Sequence, residues 1–129
     1  MNVGFIGTGT MGLPMVGNLL KKGFAVVAYD AVPTALQAAV RLGATAAVSS
    51  ADVAKRSDVV VTMLPSSSHV EVVYLGPAGI AEALTPGRLC IDMSTIDPAV
   101  SRRVAAALQS GNRAGHRREH PDRWHACVE

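Results

Sequence analysis

This 129-residue sequence is short of aromatics, of cysteine and of net charge. Only 4% of its residues are aromatic, so a core has to be assembled from Val, Ala, Leu, Ile and Met, which suits a parallel sheet covered on both faces by small-residue helices. Two cysteines, Cys90 and Cys127, make no disulfide framework, and Cys90 within Leu89-Cys90-Ile91 is expected to be a buried thiol. A formal charge of +2 leaves no basic stripe and no case for nucleic acid. No stretch reaches the ~18 apolar residues that cross a bilayer, and no charged leader precedes the first apolar run. A cytoplasmic protein of one domain is the expectation, the length being too short for two typical domains.

What is present is concentrated at the start. Val3, Phe5 and Ile6 form a short apolar run, and Gly7, Gly9 and Gly12 follow at G-x-G-x-x-G spacing before an amphipathic segment. A second apolar run, Ala25 to Tyr29, ends in Asp30, about 18 residues past Gly12. Each residue type has a physical task. Gly7 permits a sharp exit from the strand, Gly9 lets a pyrophosphate approach the main chain, and Gly12 allows close helix–strand packing. The helix then points its free N–H groups and positive dipole end at the phosphates. Asp30 can accept hydrogen bonds from both hydroxyls of an adenosine ribose and would repel a 2′-phosphate, which points to NAD rather than NADP.

The rest of the chain alternates strand and helix. The first helix is expected to bury Met11, Met15, Val16, Leu19 and Leu20, with Pro14 in its first turn and Gly23 as its stop. Pro33 opens a second helix whose inner positions are Leu36, Ala39, Val40 and Leu42, closed by Gly43. Ala46 to Val48 reads as a third strand, and Ser49-Ser50 as the cap of a helix through Arg56. Val59 to Leu64 is a β-branched strand ended by Pro65, and Ser66-Ser67-Ser68 caps a helix from His69 to Leu75. After a further turn, Ile80 to Leu84, comes a fifth strand, Leu89 to Asp92. Asp97-Pro98 then starts a helix carrying Val100, Val104, Ala107 and Leu108, which Gly111 closes.

This alternation argues for a Rossmann-type α/β fold, a doubly wound parallel sheet of order 3-2-1-4-5. The carboxyl ends of its strands gather Gly7 to Gly12, Asp30, Ser49-Ser50, Leu64 to Ser66 and Ser94-Thr95 on one small, polar edge. Beyond Gly111 the pattern stops. Residues 111–129 hold three of the four histidines, four arginines and the only Trp, without an apolar period. They are expected to be disordered and to supply no sixth strand, leaving the fold incomplete at its C-terminal end and the outer edge of the fifth strand unpaired. His116, His120, His125 and Cys127 include metal-ligand types, but nothing between them fixes a geometry, so no metal is expected. Such an ending is what an out-of-frame or alternatively terminated reading would produce.

Four motifs in order resemble the β-hydroxyacid dehydrogenases, most closely their 3-hydroxyisobutyrate-oxidising branch. They are Gly4 through Met15, then Asn18-Leu19 with Lys22-Gly23 and Tyr29-Asp30, then Met63-Leu64-Pro65, and finally Asp92 through Ser101. The resemblance covers residues 1 to about 110 and implies the NAD-binding part of an oxidoreductase that converts 3-hydroxyisobutyrate, or a similar small β-hydroxyacid, to its semialdehyde. It further implies that Gly7, Gly9, Thr10, Met11 and Gly12 hold the pyrophosphate and Asp30 the adenosine ribose. Leu64 and Pro65 would contact the adenosine side, His69 would lie near the cofactor, Thr95 would touch the nicotinamide ribose, and Ser94 would lie near the substrate carboxylate. The family's sixth-strand Asp-Ala-Pro-Val-Ser-Gly-Gly motif, its catalytic lysine and the helical domain that supplies much of the dimer interface have no counterpart after Gly111. Lys21 and Lys22 sit roughly 15 Å down the first helix and cannot replace that lysine. The chain alone is therefore expected to be inactive; a non-catalytic NAD-binding module, or part of a tartronate semialdehyde reductase-like enzyme, are the alternatives.

Overall fold

A computed structural model describes residues 1–85, 87–110 and 124–126. Strand β1 spans Asn2–Ile6, β2 Ala25–Tyr29, β3 Thr45–Ala46, β4 Val59–Thr62 and β5 Leu89–Asp92. Helices α1, Gly12–Lys21, and α2, Pro33–Leu42, follow β1 and β2. Next come α3, Ser50–Arg56, α4, Ser67–Leu75, α5, Ile80–Ala83, and α6, Pro98–Ser110. Every pairing is parallel, and β1 lies between β2 and β4, so the order reverses beside the first strand.

The strands are buried on both faces because successive side chains point to opposite sides. Phe5, Val26 and Ala28 pack with Val16 and Ala39 under α1 and α2. Ile6, Val27, Val60 and Cys90 pack with Val53, Val70, Tyr74 and Val104 under α3, α4 and α6. Ala28 and Ala39 are completely buried, showing how a core with few aromatics closes: small side chains bring helix and sheet together. Cys90 is fully buried, as its place in an apolar strand implies.

Capping follows the serines. Ser49 Oγ accepts from the Asp52 N–H at 3.0 Å, Ser66 caps α4, and Asp97 Oδ1 accepts from the Ala99 N–H at 2.8 Å. Gly43 ends α2 in the left-handed region, φ 118°, where a side chain would be strained. Boundaries shift by a residue or two from the sequence reading. β3 occupies Thr45–Ala46 rather than 46–48, and β4 stops at Thr62 because Met63 to Ser66 turn outward into the cleft wall.

Three expectations are corrected. Met11 is not on the inner face of α1; it precedes the helix and is 60% exposed. Val40 and Leu42 of α2 are 41% and 50% exposed, and only Ala39 of that helix is fully covered, although Leu42 still reaches α1 beside Gly17. Most consequentially, Trp124–Ala126 forms a sixth strand, β6, parallel to β5, giving the order β3-β2-β1-β4-β5-β6. Its pairing runs Cys90 to Trp124, Ile91 to His125 and Asp92 to Ala126. A three-residue ladder needs only backbone groups to meet the open edge of β5, so the absence of an apolar period did not exclude it. The expectation of disorder for the other residues from 111 to 129 falls outside the described residues, as do His116, His120 and Cys127.

At the amino ends of the strands, Asp58 ties three of them together. Its Oδ2 accepts from the Asn2 N–H at 2.9 Å, its N–H donates to the Asn2 carbonyl at 2.9 Å, and its Oδ1 pairs with Arg88. The Asn2 hydrogen bond first, and Arg88 after it, hold the Asp58 carboxyl below its ordinary value of 3.8. A depressed folded pKa contributes stability that is present above the ordinary value and lost as pH falls through the folded one. Asp58→Asn should therefore flatten the fall in thermal midpoint between about pH 5 and pH 3. Identical slopes for parent and variant in a thermal-melt series would exclude this role.

Candidate functional site

The turn from β1 into α1 is built by backbone meeting backbone. Gly7 has φ 98°, and a Cβ there would lie 2.1 Å from the Met63 carbonyl oxygen. At Gly12 a Cβ would lie 1.8 Å from the Gly7 carbonyl oxygen. These two glycines are demanded by the protein's own packing. Gly9 is different: a Cβ there would meet nothing within 4 Å. Among the described residues nothing crowds Gly9, so the packing that demands Gly7 and Gly12 does not demand a bare residue here. No side chain caps α1 and its first turn has no acid, so its amino end is left for an anion.

Asp30 closes the other side. β1 and β2 pair in register to Ile6 and Tyr29, and the Gly7 N–H donates to the Tyr29 carbonyl at 3.1 Å, so Asp30 stands beside the glycine turn. Its Oδ2 accepts from the Thr8 N–H at 2.8 Å and its Oδ1 from the Val32 N–H at 2.8 Å. Thr8 Oγ1 also donates to Oδ2, at 3.4 Å; of the about four acceptor directions of a carboxylate one remains open, and a second opens when the Thr8 hydroxyl turns away. Thr8, 1% exposed, was not singled out in the sequence; its place inside the motif and next to the β1–β2 register was the available signal.

A cleft of about 490 Å³ opens over this turn. It gathers Gly7, Gly9, Thr10, Met11, Gly12, Asp30, Leu64, Pro65 and His69, all expected from the sequence, and adds Tyr29, Val32, Ala35 and Val73. Among the described residues neither a lysine nor an arginine lines it. His69 is exposed at the start of α4, and its Nδ1 lies 2.7 Å from Ser66 Oγ, which itself lies 2.9 Å from Ser68 Oγ. Two expected residues are not in this lining. Thr95 is exposed just beyond β5. Ser94, expected at a substrate carboxylate, is 1% exposed, with its hydroxyl donating to Asp92 Oδ1 at 2.6 Å and accepting from the Leu64 N–H at 2.7 Å. The hydroxyl is thus engaged inside the protein, at a position the sequence reading had set near a substrate carboxylate.

A glycine turn feeding an uncapped helix, an acid at the end of the neighbouring strand and a cleft where the strand order reverses define a dinucleotide-binding α/β domain. The pattern of the NAD-binding domain of 6-phosphogluconate dehydrogenase matches residues 2–114, and the chain belongs to that family. It is 48% identical over 104 residues to a probable mitochondrial 3-hydroxyisobutyrate dehydrogenase of Dictyostelium discoideum, covering 81% of this chain and 32% of the relative. It is 44% identical over 107 residues to an NAD-dependent L-serine dehydrogenase of Pseudomonas aeruginosa, covering 83% of this chain and 36% of that one. Among solved structures, the 3-hydroxyisobutyrate dehydrogenase of Mycobacterium tuberculosis with L-serine superposes with a TM-score of 0.80 at 31% identity, covering 97% of this chain and 38% of that one. The chain spans about a third of the length of the relatives it matches.

The contrast among the three glycines is testable. Gly9→Ala should melt within a few degrees of the parent, because its methyl meets no atom, yet bind dinucleotide at least tenfold more weakly, about the cost of one lost or displaced hydrogen bond. Gly7→Ala should be strongly destabilised by its positive φ and its contact with the Met63 carbonyl. Unchanged affinity in Gly9→Ala, measured by calorimetric titration, would show that the turn does not face the ligand.

Proposed function

We propose that this chain is the NAD-binding portion of an oxidoreductase that oxidises 3-hydroxyisobutyrate, or a similar β-hydroxyacid, to its semialdehyde. The observation that carries the reading is Gly9, bare without internal reason, opposite a carboxylate held by two backbone N–H groups. Residues 1–110 are the binding unit in this reading. L-Serine, which appears in the names of two relatives, is itself a β-hydroxyacid and belongs to the same substrate class.

NAD, when bound, supplies the hydride acceptor. The chain's contribution is to seat it. The amino end of α1 faces the pyrophosphate, Thr10 and Met11 border it, and Leu64 and Pro65 form the wall beside the adenosine. Asp30 takes the ribose hydroxyls. A 2′-phosphate in their place would sit against a carboxylate, and two like charges about 4 Å apart repel by about 4 kcal/mol at an intermediate dielectric. Thr95, exposed beyond β5, is the candidate for the nicotinamide ribose, and His69 for a polar contact near the phosphates.

What the cleft does not hold, among the described residues, is a lysine to take the proton of the substrate hydroxyl. A positioned acid–base group contributes about 10² to 10⁴-fold, and no lysine borders this cleft. The chain alone is inactive in this reading; a non-catalytic NAD-binding module would share the same site and differ only in what it joins. A reducing compartment, the cytoplasm, is the location this reading favours, since the two cysteines of the sequence make no disulfide framework. Among the described residues no helix is long and apolar enough to cross a membrane.

Titration should show NAD bound at least about 100-fold more tightly than NADP, as the repulsion above requires. Asp30→Ala should lose about 10- to 100-fold in NAD affinity, the worth of hydrogen bonds to a charged group, and most of the discrimination. Equal affinities for the two dinucleotides would remove the reading, and steady NADH formation with 3-hydroxyisobutyrate would overturn the inactivity of the isolated chain.

A further inference from the structure

Behind the cleft wall runs a chain of buried polar side chains that the binding of a dinucleotide does not itself require. Thr62, at the end of β4, donates from Oγ1 to Asp92 Oδ1 at 2.7 Å and lies 3.0 Å from the Tyr74 hydroxyl of α4. The same Asp92 oxygen receives the Ser94 N–H at 3.2 Å and the Ser94 hydroxyl at 2.6 Å. Ser94 Oγ in turn accepts from the Leu64 N–H at 2.7 Å. Thr62, Tyr74 and Asp92 are fully buried, and Asp92 Oδ2 has no partner among the described residues. A carboxyl group buried with one oxygen unpaired is costly, and a packed apolar pair would close the same space more cheaply. The network therefore calls for a geometric explanation.

The geometry supplies one. The Met63–Leu64 peptide is planar and trans, so its N–H and its C=O point in opposite directions. Its N–H is held by Ser94, and its C=O fills the space beside Gly7 that a Cβ would occupy, 2.1 Å from that position. Leu64 and Pro65, directly after it, form the cleft wall. We propose that Ser94 and Asp92 are positioning residues of the dinucleotide site: Ser94 sets the plane of the Met63–Leu64 peptide against Gly7, and Asp92 aims Ser94. Through this peptide the Asp92-Met93-Ser94 segment of β5 and the glycine turn of β1 act as one unit. The inference rests on the NAD-binding reading for its functional consequence, while the peptide orientation stands independently of it.

The test uses the full chain with Ser94→Ala, Ser94→Thr and Asp92→Asn, read by NAD titration and by amide hydrogen exchange at Leu64 and Val60. Ser94→Ala should raise the NAD dissociation constant about tenfold, the loss of one buried hydrogen bond, and speed exchange at Leu64 while leaving Val60, in the middle of β4, unchanged. Ser94→Thr, which keeps the hydroxyl, should restore both readouts to within about threefold. Asp92→Asn, which keeps the side-chain volume, decides by the same pair of readouts if Ser94→Ala does not fold. Parent-like NAD affinity in Ser94→Ala, or equal acceleration at Leu64 and Val60, would overturn the proposal and leave NAD binding standing. Failure of the unsubstituted chain to bind NAD would overturn both.

Discussion

Everything at the binding edge depends on how closely three pieces of main chain approach one another. The Met63 carbonyl fills the place a Gly7 side chain would take, and the Gly7 carbonyl fills the place a Gly12 side chain would take. β4, the turn and α1 are thereby stacked backbone on backbone. A single methyl at either glycine would force them apart, at a cost set by strain rather than by lost burial. The closeness matters because the N–H groups at the start of α1 act on an anion only within the first turn. If the turn bulged outward, the helix would be present and its electrostatic contribution would not.

The charges around the cleft follow from that arrangement. Among the described residues no lysine or arginine lines the cleft and His69 is the one lining side chain able to carry a positive charge, so the attraction for an anion there comes mainly from main-chain N–H groups and the helix dipole. These groups are fixed partial charges and lose little entropy on binding. The acid opposite them is fixed as well, since Thr8 and Val32 each donate a backbone N–H to one Asp30 oxygen. Selectivity thus resides in an orientation set by β2 and the glycine turn together, and a flexible side chain at position 30 would discriminate less sharply.

Much of this was legible from residues alone. β1, β2 and β5, the glycine turn, Asp30 and the serine and aspartate caps depend on local rules: apolar runs, fixed spacings, and residues with one conformational talent. Errors arose where a side chain's surroundings decide its role. Met11 sits on the same helical stripe as Val16 in a periodicity argument, yet it lies before the helix starts and faces the cleft. Ser94 belongs to a binding-edge motif, and the fold adds partners that no linear motif names, Asp92 and the Leu64 N–H. The sixth strand was missed because backbone pairing at an open edge leaves no trace in side-chain pattern.

The residue order by itself determined the class of fold, the position of the glycine turn and the identity of the acid, since each is a short-range consequence of residue type and spacing. Only the tertiary structure decided which of the three glycines the protein's own packing requires. Gly7, Gly9 and Gly12 are chemically identical and differ solely in what stands next to them: a carbonyl, open space and a carbonyl. That difference arises when β4 and α1 close on β1, an event of long-range packing that no spacing within the motif records.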